Sequence, residues 1–260
     1  MYVDRQGAGP PVILIHGLGA SGFSFRQVAA ELSRRFMTYN IDLLGFGHSP
    51  APWDFPFTMA AQAKAVMDFI DKEGISDPIL IGHSMGGGIC LHLAHTMSGN
   101  ASSWSSRMVL LAPVAYPPVG SFPSAGSLPM PPGDVMGQAA SPAAALAAFF
   151  LTRAYAPGNQ PTSEQIEGYA AGLSSMSQLA AFTAHGLALG AAEVRLPSFA
   201  AITRETLVIS GDQETILPPG DAAQLAGELP NATLQVIARS GHIPHEEQPS
   251  TTIDVISRYL

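Results

Sequence analysis

The sequence predicts an α/β fold, in which a mostly parallel central β-sheet carries helices on both faces. Two observations lead to this prediction. Short, continuous apolar runs, which are typical of strands buried on both faces, alternate along the chain with longer segments of helical pattern. The chain has 260 residues, which is enough for one large domain with an inserted subdomain and short for two independent domains.

Six apolar runs are candidate strands. Four of them are continuous and lie at residues 12–15, 79–81, 108–111 and 206–210. A fifth run at 233–238 is nearly continuous, and a sixth at 37–41 is weaker. Helical patterns lie between the runs, at residues 27–34, 59–73, 85–97 and 221–228. This alternation favours a parallel sheet, because the crossover helices then cover both of its faces.

The pattern changes between residues 116 and 199. A segment rich in Pro, Gly, Ser and Met comes first, and small-residue helices follow it. Thr162 is followed three residues later by Gln165, which is the spacing of a capping box at a helix N-terminus. No strand pattern occurs in this segment. We therefore predict a core formed by residues 1–115 and 200–260, with a helical insertion at 116–199.

Composition and charge exclude several classes of partner. The formal net charge is -8, with 12 Lys and Arg against 20 Asp and Glu, so we expect binding neither to nucleic acid nor to an anionic membrane surface. A single cysteine, Cys90, cannot form an internal disulfide, and no Cys/His cluster predicts a metal site. These features are typical of a protein in a reducing compartment that needs no metal.

Targeting and membrane signals are weak. The first apolar run, at residues 12–15, is too short for a signal peptide, and the longest, at 143–151, falls well short of the roughly 20 residues that a membrane span needs. We therefore expect a soluble, cytoplasmic protein without an integral membrane segment.

The stretch IGHSMGGG contains the first candidate for chemistry, Ser84. Ser84 follows a predicted strand and precedes a predicted helix, so the chain turns sharply there and projects the hydroxyl from the sheet edge. Gly82 and Gly86 come close together in such a turn and remove side chains that would collide. The alternative is an ordinary glycine-rich turn, but the position between strand and helix favours a nucleophile.

A second stretch, HGLGAS, follows the first continuous run. Such a turn can aim the N–H of Leu18 at an oxygen of a substrate held by Ser84, and the N–H of Met85 is a natural second donor. Two preorganised donors for an oxyanion are what acyl transfer requires. We interpret His16 as a residue that orders this loop in preference to a base.

Two further stretches supply a base and an acid. SGHIPHEEQP follows the last run and contains His242, our candidate base, and His245, its competitor. GDQETILP follows the run at 206–210 and offers two carboxylates, Asp212 and Glu214, which could orient the imidazole. The residues alone leave both carboxylates open.

Taken together, HGLG, DLLGFGHS, GHSMGG, GDQETILP and GHIPHEE resemble the motifs of the α/β-hydrolase family, in the same order. The resemblance covers essentially the whole chain, which is similar to the serine esterases and metal-free haloperoxidases of that family. It implies that Ser84 is the nucleophile, that His242 is the base, and that the N–H groups of Leu18 and Met85 form the oxyanion hole. The resemblance also implies that the reaction requires no cofactor.

The position of the acid departs from the commoner family pattern. The resemblance places it at Glu214, where many members carry aspartate, so Asp212 stays open as the alternative. Residues 107–116, where some members carry the acid, contain no carboxylate, and Asp134 would have to fold back. The family also implies scaffold roles for Asp42 and for Cys90, which we expect to be a small buried side chain.

The insertion corresponds to the family's cap over the active site. Six of its apolar side chains could line a substrate pocket or only hold the cap helices together: Phe149, Phe150, Tyr155, Tyr169, Met176 and Phe182. We expect residues 117–137 to form a mobile edge of this lid.

The activity that these features favour is hydrolysis of a small, mainly apolar carboxylic ester through an acyl-enzyme. Carbon–carbon bond hydrolysis, amidase action and perhydrolase chemistry would use the same residues. Ser84 argues against dehalogenase and epoxide-hydrolase chemistry, which the family performs with aspartate. A binding protein that keeps the fold without catalysis is the remaining class, but such a protein is expected to lack part of this set. The oligomeric state stays open.

Overall fold

A computed structural model describes residues 1–98, 107–116, 140–189, 196 and 198–260. The predicted lid edge at 117–137 and the alternative acid Asp134 lie outside the described residues. The described part forms a seven-stranded sheet with the strand order β1-β3-β2-β4-β5-β6-β7. Its strands are β1 (Tyr2–Gln6), β2 (Pro11–Ile15), β3 (Met37–Asp42), β4 (Ile79–His83), β5 (Arg107–Leu111), β6 (Glu205–Gly211) and β7 (Ala232–Ile237).

The sheet is mostly parallel, which confirms the predicted fold class. Strands β2 to β7 pair in parallel, for example with Ile15 opposite Gly82. Only β1 runs antiparallel, with Tyr2 opposite Asp42. The sequence analysis missed β1 because this edge strand is largely exposed and its residues YVDRQ contain no apolar run.

Helices surround the sheet in the described residues. They are α1 (Arg26–Leu32), α2 (Met59–Lys72), α3 (Met85–Ser98), α4 (Pro142–Ala154), α5 (Ser163–Ala171), α6 (Met176–Leu189), α7 (Asp221–Glu228), α8 (Pro244–Glu247) and α9 (Pro249–Tyr259), with a 3-10 turn at Gly22–Phe25. The predicted capping box is present: Thr162 N–H donates to Gln165 Oε1 at 2.8 Å, and Gln165 N–H donates to Thr162 Oγ1 at 3.2 Å. Helices α8 and α9 were not predicted from the sequence.

The core lies on both faces of the sheet. In β2, Ile13 and Ile15 pack on the face that is covered by α2 and α3, whereas Val12 and Leu14 pack on the face that is covered by α1 and α9. Successive side chains of a strand point to opposite faces, so a strand buried on both faces needs an unbroken apolar run. Strand β7 departs from this rule because it is an edge, and Leu234 and Val236 are exposed there.

Helices α4, α5 and α6 lie between β5 and β6 in the chain, and we call them the insertion helices. They pack on the turns that follow β2 and β3. Gln178 Nε2 donates to the carbonyl of Gly47 at 2.7 Å, and the ring of Phe182 lies against Gly19. The insertion helices therefore pack at the carboxyl end of the sheet, against the turns that follow β2 and β3. The boundaries of the insertion at 116 and 199 stay a prediction.

Candidate active site

Ser84 occupies a strained turn between β4 and α3. Its φ is +52°, a left-handed conformation that costs a non-glycine residue roughly 1–2 kcal/mol. The turn is held from both sides, because Ser84 N–H donates to Leu111 O at 2.9 Å and Ser84 O accepts from Val114 N–H at 3.0 Å. The Ser84 side chain is partly exposed. A neighbouring strand thus supports a conformation that presents the hydroxyl at the surface of the core.

The glycines around Ser84 permit this turn. A Cβ at Gly82 would collide with the carbonyl of Gly86, and a Cβ at Gly86 would collide with the carbonyl of Ile15. Both obstacles are backbone atoms, which cannot move aside as the end of a side chain can. The steric requirement predicted from the motif is therefore met at both positions.

His242 lies beside Ser84, with Nε2 at 2.9 Å from Ser84 Oγ. Its Nδ1 lies at 2.9 Å and 3.0 Å from the two carboxylate oxygens of Glu214. Because Nδ1–H must donate to the carboxylate, Nε2 of the neutral imidazole is the acceptor that faces the serine hydroxyl. The two side chains are only 6% and 11% exposed, so water competes little for these hydrogen bonds.

Glu214 is held in its ionised form. Burial alone would raise the pKa of this carboxyl, but His242 and the backbone N–H groups of Ile216 and Leu217 lower the pKa below its ordinary value. Oε1 accepts from Ile216 N–H at 2.7 Å and from Leu217 N–H at 3.1 Å. The loop after β6 thus fixes the position of this carboxylate before any substrate binds.

The structure does not bring the two alternative candidates into this arrangement. Asp212 is exposed, and its Oδ1 accepts from the backbone N–H of Ser240 at 3.2 Å. The buried ring of His245 stacks on Phe25, with 4.8 Å between ring centroids. Burial, followed by the charges of His242 and Arg26, lowers the pKa of His245 to about 3. The contacts of Asp212 and His245 are therefore structural.

The loop that carries Leu18 runs against Ser84. A Cβ at Gly17 would lie 3.2 Å from the Ser84 Cβ, so a side chain there would crowd the nucleophile. Met85 begins α3, and the N–H of the first helical residue has no partner within the helix. The two amides that the sequence analysis selected therefore belong to segments that meet at Ser84.

His16 orders this loop, in agreement with the interpretation from the sequence. Its Nδ1–H donates to Gly17 O at 2.8 Å, and its Nε2 accepts from Leu43 N–H at 3.0 Å. Burial lowers its pKa, so the ring stays neutral and can serve both contacts. Asp42 has a similar scaffold role, because its carboxylate accepts from the backbone N–H groups of Gly22 and His48, both at 2.7 Å.

His83 is a residue of the site that the sequence analysis missed. Its Nε2–H donates to the carbonyl of His242 at 3.0 Å, and its ring lies 5.1 Å from the ring of His242. Burial is the main cause that holds the pKa of His83 well below its ordinary value. Its place directly before Ser84 was visible in the sequence, but nothing in the pattern indicated a contact 159 residues away.

The apolar side chains of the insertion helices divide into groups. Phe150 and Phe182 lie together, with 5.4 Å between ring centroids, beside the loop that carries Leu18. Tyr155 and Tyr169 are buried in a separate cluster that holds α4 and α5 together. Met176 is 81% exposed and serves neither purpose. Phe150 and Phe182 are therefore the candidates for a substrate wall.

The structure also bears on the predictions made for Cys90, for a membrane span and for a metal site. Cys90 is fully buried and burial raises the pKa of its thiol, in agreement with the expected packing role. Among the described residues, no helix has both the length and the apolar character that a membrane crossing requires. Nor does the described part of the chain contain a group of three or more His, Cys, Asp or Glu side chains that could hold a metal ion.

Comparison with known proteins places the chain in a family. Residues 10–249 match the model of the alpha/beta hydrolase fold, and the chain belongs to that family. An uncharacterised protein of Mycobacterium tuberculosis is 26% identical over 271 residues, which cover 98% of this chain and 76% of that protein.

Two solved structures show the same fold. The chain is similar to an esterase from Exiguobacterium antarcticum, with a TM-score of 0.80, 20% identity and coverage of 99% of this chain and 94% of the other. It is also similar to an esterase from Thermogutta terrifontis, with a TM-score of 0.76, 23% identity and coverage of 99% and 92%. The fold and the family together define a hydrolase scaffold.

Proposed function

We propose that this protein is a serine hydrolase that cleaves a carboxylic ester through an acyl-enzyme, with Ser84 as nucleophile, His242 as base and Glu214 as acid. The observation that carries the proposal is the unbroken hydrogen-bond chain from the Glu214 carboxylate through His242 to Ser84 Oγ. A serine hydroxyl is a weak nucleophile on its own, and an adjacent oriented base is what activates it.

In the proposed reaction, His242 Nε2 takes the proton from Ser84 Oγ as the oxygen attacks the ester carbonyl carbon. The N–H groups of Leu18 and Met85 stabilise the oxyanion, and Glu214 stabilises the imidazolium that has formed. His242 then returns the proton to the leaving alcohol. A water molecule, deprotonated by His242, attacks the acyl-enzyme, releases the acid and restores Ser84.

Apolar side chains beside the loop that carries Leu18 support a mainly apolar substrate. Leu18, Phe150 and Phe182 supply apolar surface, and we infer that the insertion helices act as a cap over the site. Two solved structures that share the fold are esterases, and an ester is the substrate class that we propose. We therefore propose p-nitrophenyl esters of short fatty acids as model substrates.

The test is hydrolysis of p-nitrophenyl acetate, butyrate and octanoate by the wild-type protein and by Ser84→Ala. We expect the substitution to reduce kcat by roughly 10⁶-fold, to the background of the assay. Ser33→Ala, which removes an exposed hydroxyl at the end of α1, is the matched control and should keep full activity. Equal rates for the wild type and Ser84→Ala would refute the proposal, as would failure of a fluorophosphonate to label Ser84.

A further inference from the structure

Glu247, in α8, holds the loop on either side of His242. Its Oε1 accepts from Gly241 N–H at 2.8 Å and from Ile243 N–H at 3.3 Å. The hydroxyl of Ser240 lies at 3.5 Å from the same oxygen. The residues that flank the proposed base are thus both fastened to one carboxylate oxygen.

The other oxygen of Glu247 faces the segment that follows α4. Oε2 accepts from Ala156 N–H at 2.7 Å and from Asn159 Nδ2 at 2.8 Å. These donors are uncharged, and hydrogen bonds to an ionised acceptor are stronger than those between neutral groups. One partly buried carboxylate therefore joins the histidine loop to the insertion.

The backbone of His242 has further ties to the same surroundings. His242 N–H donates to the carbonyl of Ala154, the last residue of α4, at 2.7 Å. Its carbonyl accepts from His83 Nε2 at 3.0 Å. A Cβ at Gly241 would lie only 2.7 Å from Ala156 N, so glycine permits the two backbones to approach. Both backbone polar groups of His242 are therefore held by hydrogen bonds.

We propose that Glu247 is a positioning residue for His242, which fixes the imidazole between Glu214 and Ser84 and couples it to the insertion helices. The inference rests on the proposed function, since it assigns His242 as the base. Glu247 reaches no reacting atom; it acts through the Gly241 and Ile243 amides. A displacement of the segment after α4 moves this carboxylate and, with it, the loop that carries the base.

The test compares Glu247→Gln with Glu246→Gln. A glutamine at 247 keeps one oxygen, but its NH₂ group meets N–H donors on the other side, so either the loop or the insertion loses its attachment. Glu246 is the matched control, because its carboxylate binds Arg26 at 2.7 Å and Gln165 at 2.9 Å. The Glu246 side chain makes no hydrogen bond to residues 241–243 of the described chain, so loss of its carboxylate should affect stability alone.

Rates are measured on p-nitrophenyl butyrate and divided by the concentration of sites that a fluorophosphonate labels at completion, which removes unfolded protein from the comparison. For Glu247→Gln we expect kcat to fall by roughly 10–100-fold with KM within about twofold, because small displacements of reacting groups have effects of this size. Glu246→Gln should keep kcat within about twofold. Equal kcat values for the wild type and Glu247→Gln, or equal losses in both variants, would overturn the proposal.

An NMR measurement tests the positioning role of Glu247 independently of the proposed esterase activity. The proton shared between His242 Nδ1 and Glu214 is followed by its far-downfield NMR resonance, assigned by its loss in Glu214→Gln. This resonance should broaden or shift in Glu247→Gln and persist in Glu246→Gln, whether or not the ester is a substrate. An unchanged resonance in Glu247→Gln refutes the positioning role. If Glu247→Gln does not fold, Asn159→Ala, which removes one donor to Oε2, takes its place with a smaller change expected in the same direction.

Discussion

Replacement of Glu214 by glutamine tests the assignment of the acid. Oε1 accepts from the Ile216 and Leu217 amides, so the glutamine oxygen should keep that position and leave the NH₂ group at the position of Oε2. His242 Nδ1 lies 2.9 Å from Oε2 and 3.0 Å from Oε1, so the NH₂ group would oppose the N–H of the working tautomer while only one neutral oxygen remained to accept from it. The variant therefore loses the carboxylate's strong preference for a proton on Nδ1, and in the other tautomer Nε2 carries the proton and cannot accept one from Ser84.

The expected loss of kcat is about 10³–10⁴-fold, as for an amide placed behind the catalytic histidine of a serine protease. This loss corresponds to about 4–5.5 kcal/mol of transition-state stabilisation. The fold should tolerate the change, because the two backbone amides keep their acceptor. Activity and thermal unfolding are measured together, so that lost chemistry is distinguished from lost structure.

Asp212→Asn is the matched comparison. Asp212 is exposed and contacts the backbone of Ser240, so we expect kcat to change less than about threefold and stability to fall by about 1 kcal/mol. The reasoning is refuted if the Asp212 change removes most of the activity while Glu214→Gln keeps it. Comparable, large losses in both variants would show that the loop after β6 acts as a unit and that no single carboxylate is the acid.

Three further predictions concern the same residues. Because the fold lowers the pKa of Glu214, its ionised form should stabilise the protein at pH values above its ordinary pKa of 4.5, and this stabilisation should vanish as pH falls through the folded-state pKa. The unfolding free energies of the wild type and Glu214→Gln, measured by urea titration from pH 7 to pH 3, should therefore differ less as the pH falls. A difference that stays constant with pH would contradict this prediction. At Ser84, whose φ is +52°, Ser84→Gly should be more stable than Ser84→Ala by about 1 kcal/mol in urea unfolding, and both variants should be inactive. The reverse order of stability would mean that the turn is not strained. His245→Phe removes two buried ring nitrogens that have no hydrogen-bond partner among the described residues. We therefore expect kcat to stay within about threefold of the wild-type value and the unfolding free energy not to fall. Loss of ester hydrolysis with an intact fold would indicate that His245 is the base.

Much of the fold could be predicted from the sequence, because strands buried on two faces require continuous apolar runs. The runs near residues 12–15, 79–81 and 108–111 became β2, β4 and β5, and the predicted helix at 221–228 became α7. The strand β1 and the helix α9 were missed. Strand β1 lies at the edge of the sheet, where exposure admits polar residues, whereas α9 has an amphipathic pattern but is rich in β-branched residues, which have low helix propensity.

The sequence also pointed to the segments of the candidate site, because the carboxyl ends of parallel strands meet at one edge of a sheet. The residues alone left both carboxylates open, and only the resemblance to the family selected Glu214 over Asp212. Asp212 and Glu214 are two residues apart, and only the path of the loop after β6 turns Glu214 towards His242. His83 and Glu247 had no signal of their own, because their contacts join segments that are distant in sequence.

By itself the sequence determined the α/β class, the succession of strands and the motifs that contain Ser84, His242 and the two carboxylates. Local propensity, apolar periodicity and the small size of glycine act over a few neighbouring residues, so short stretches of sequence are enough to predict their effects. The tertiary structure decided which carboxylate contacts His242 and how Glu247 joins its loop to the insertion helices. Those outcomes depend on distances between segments far apart in the chain, which only the packing of the whole domain establishes.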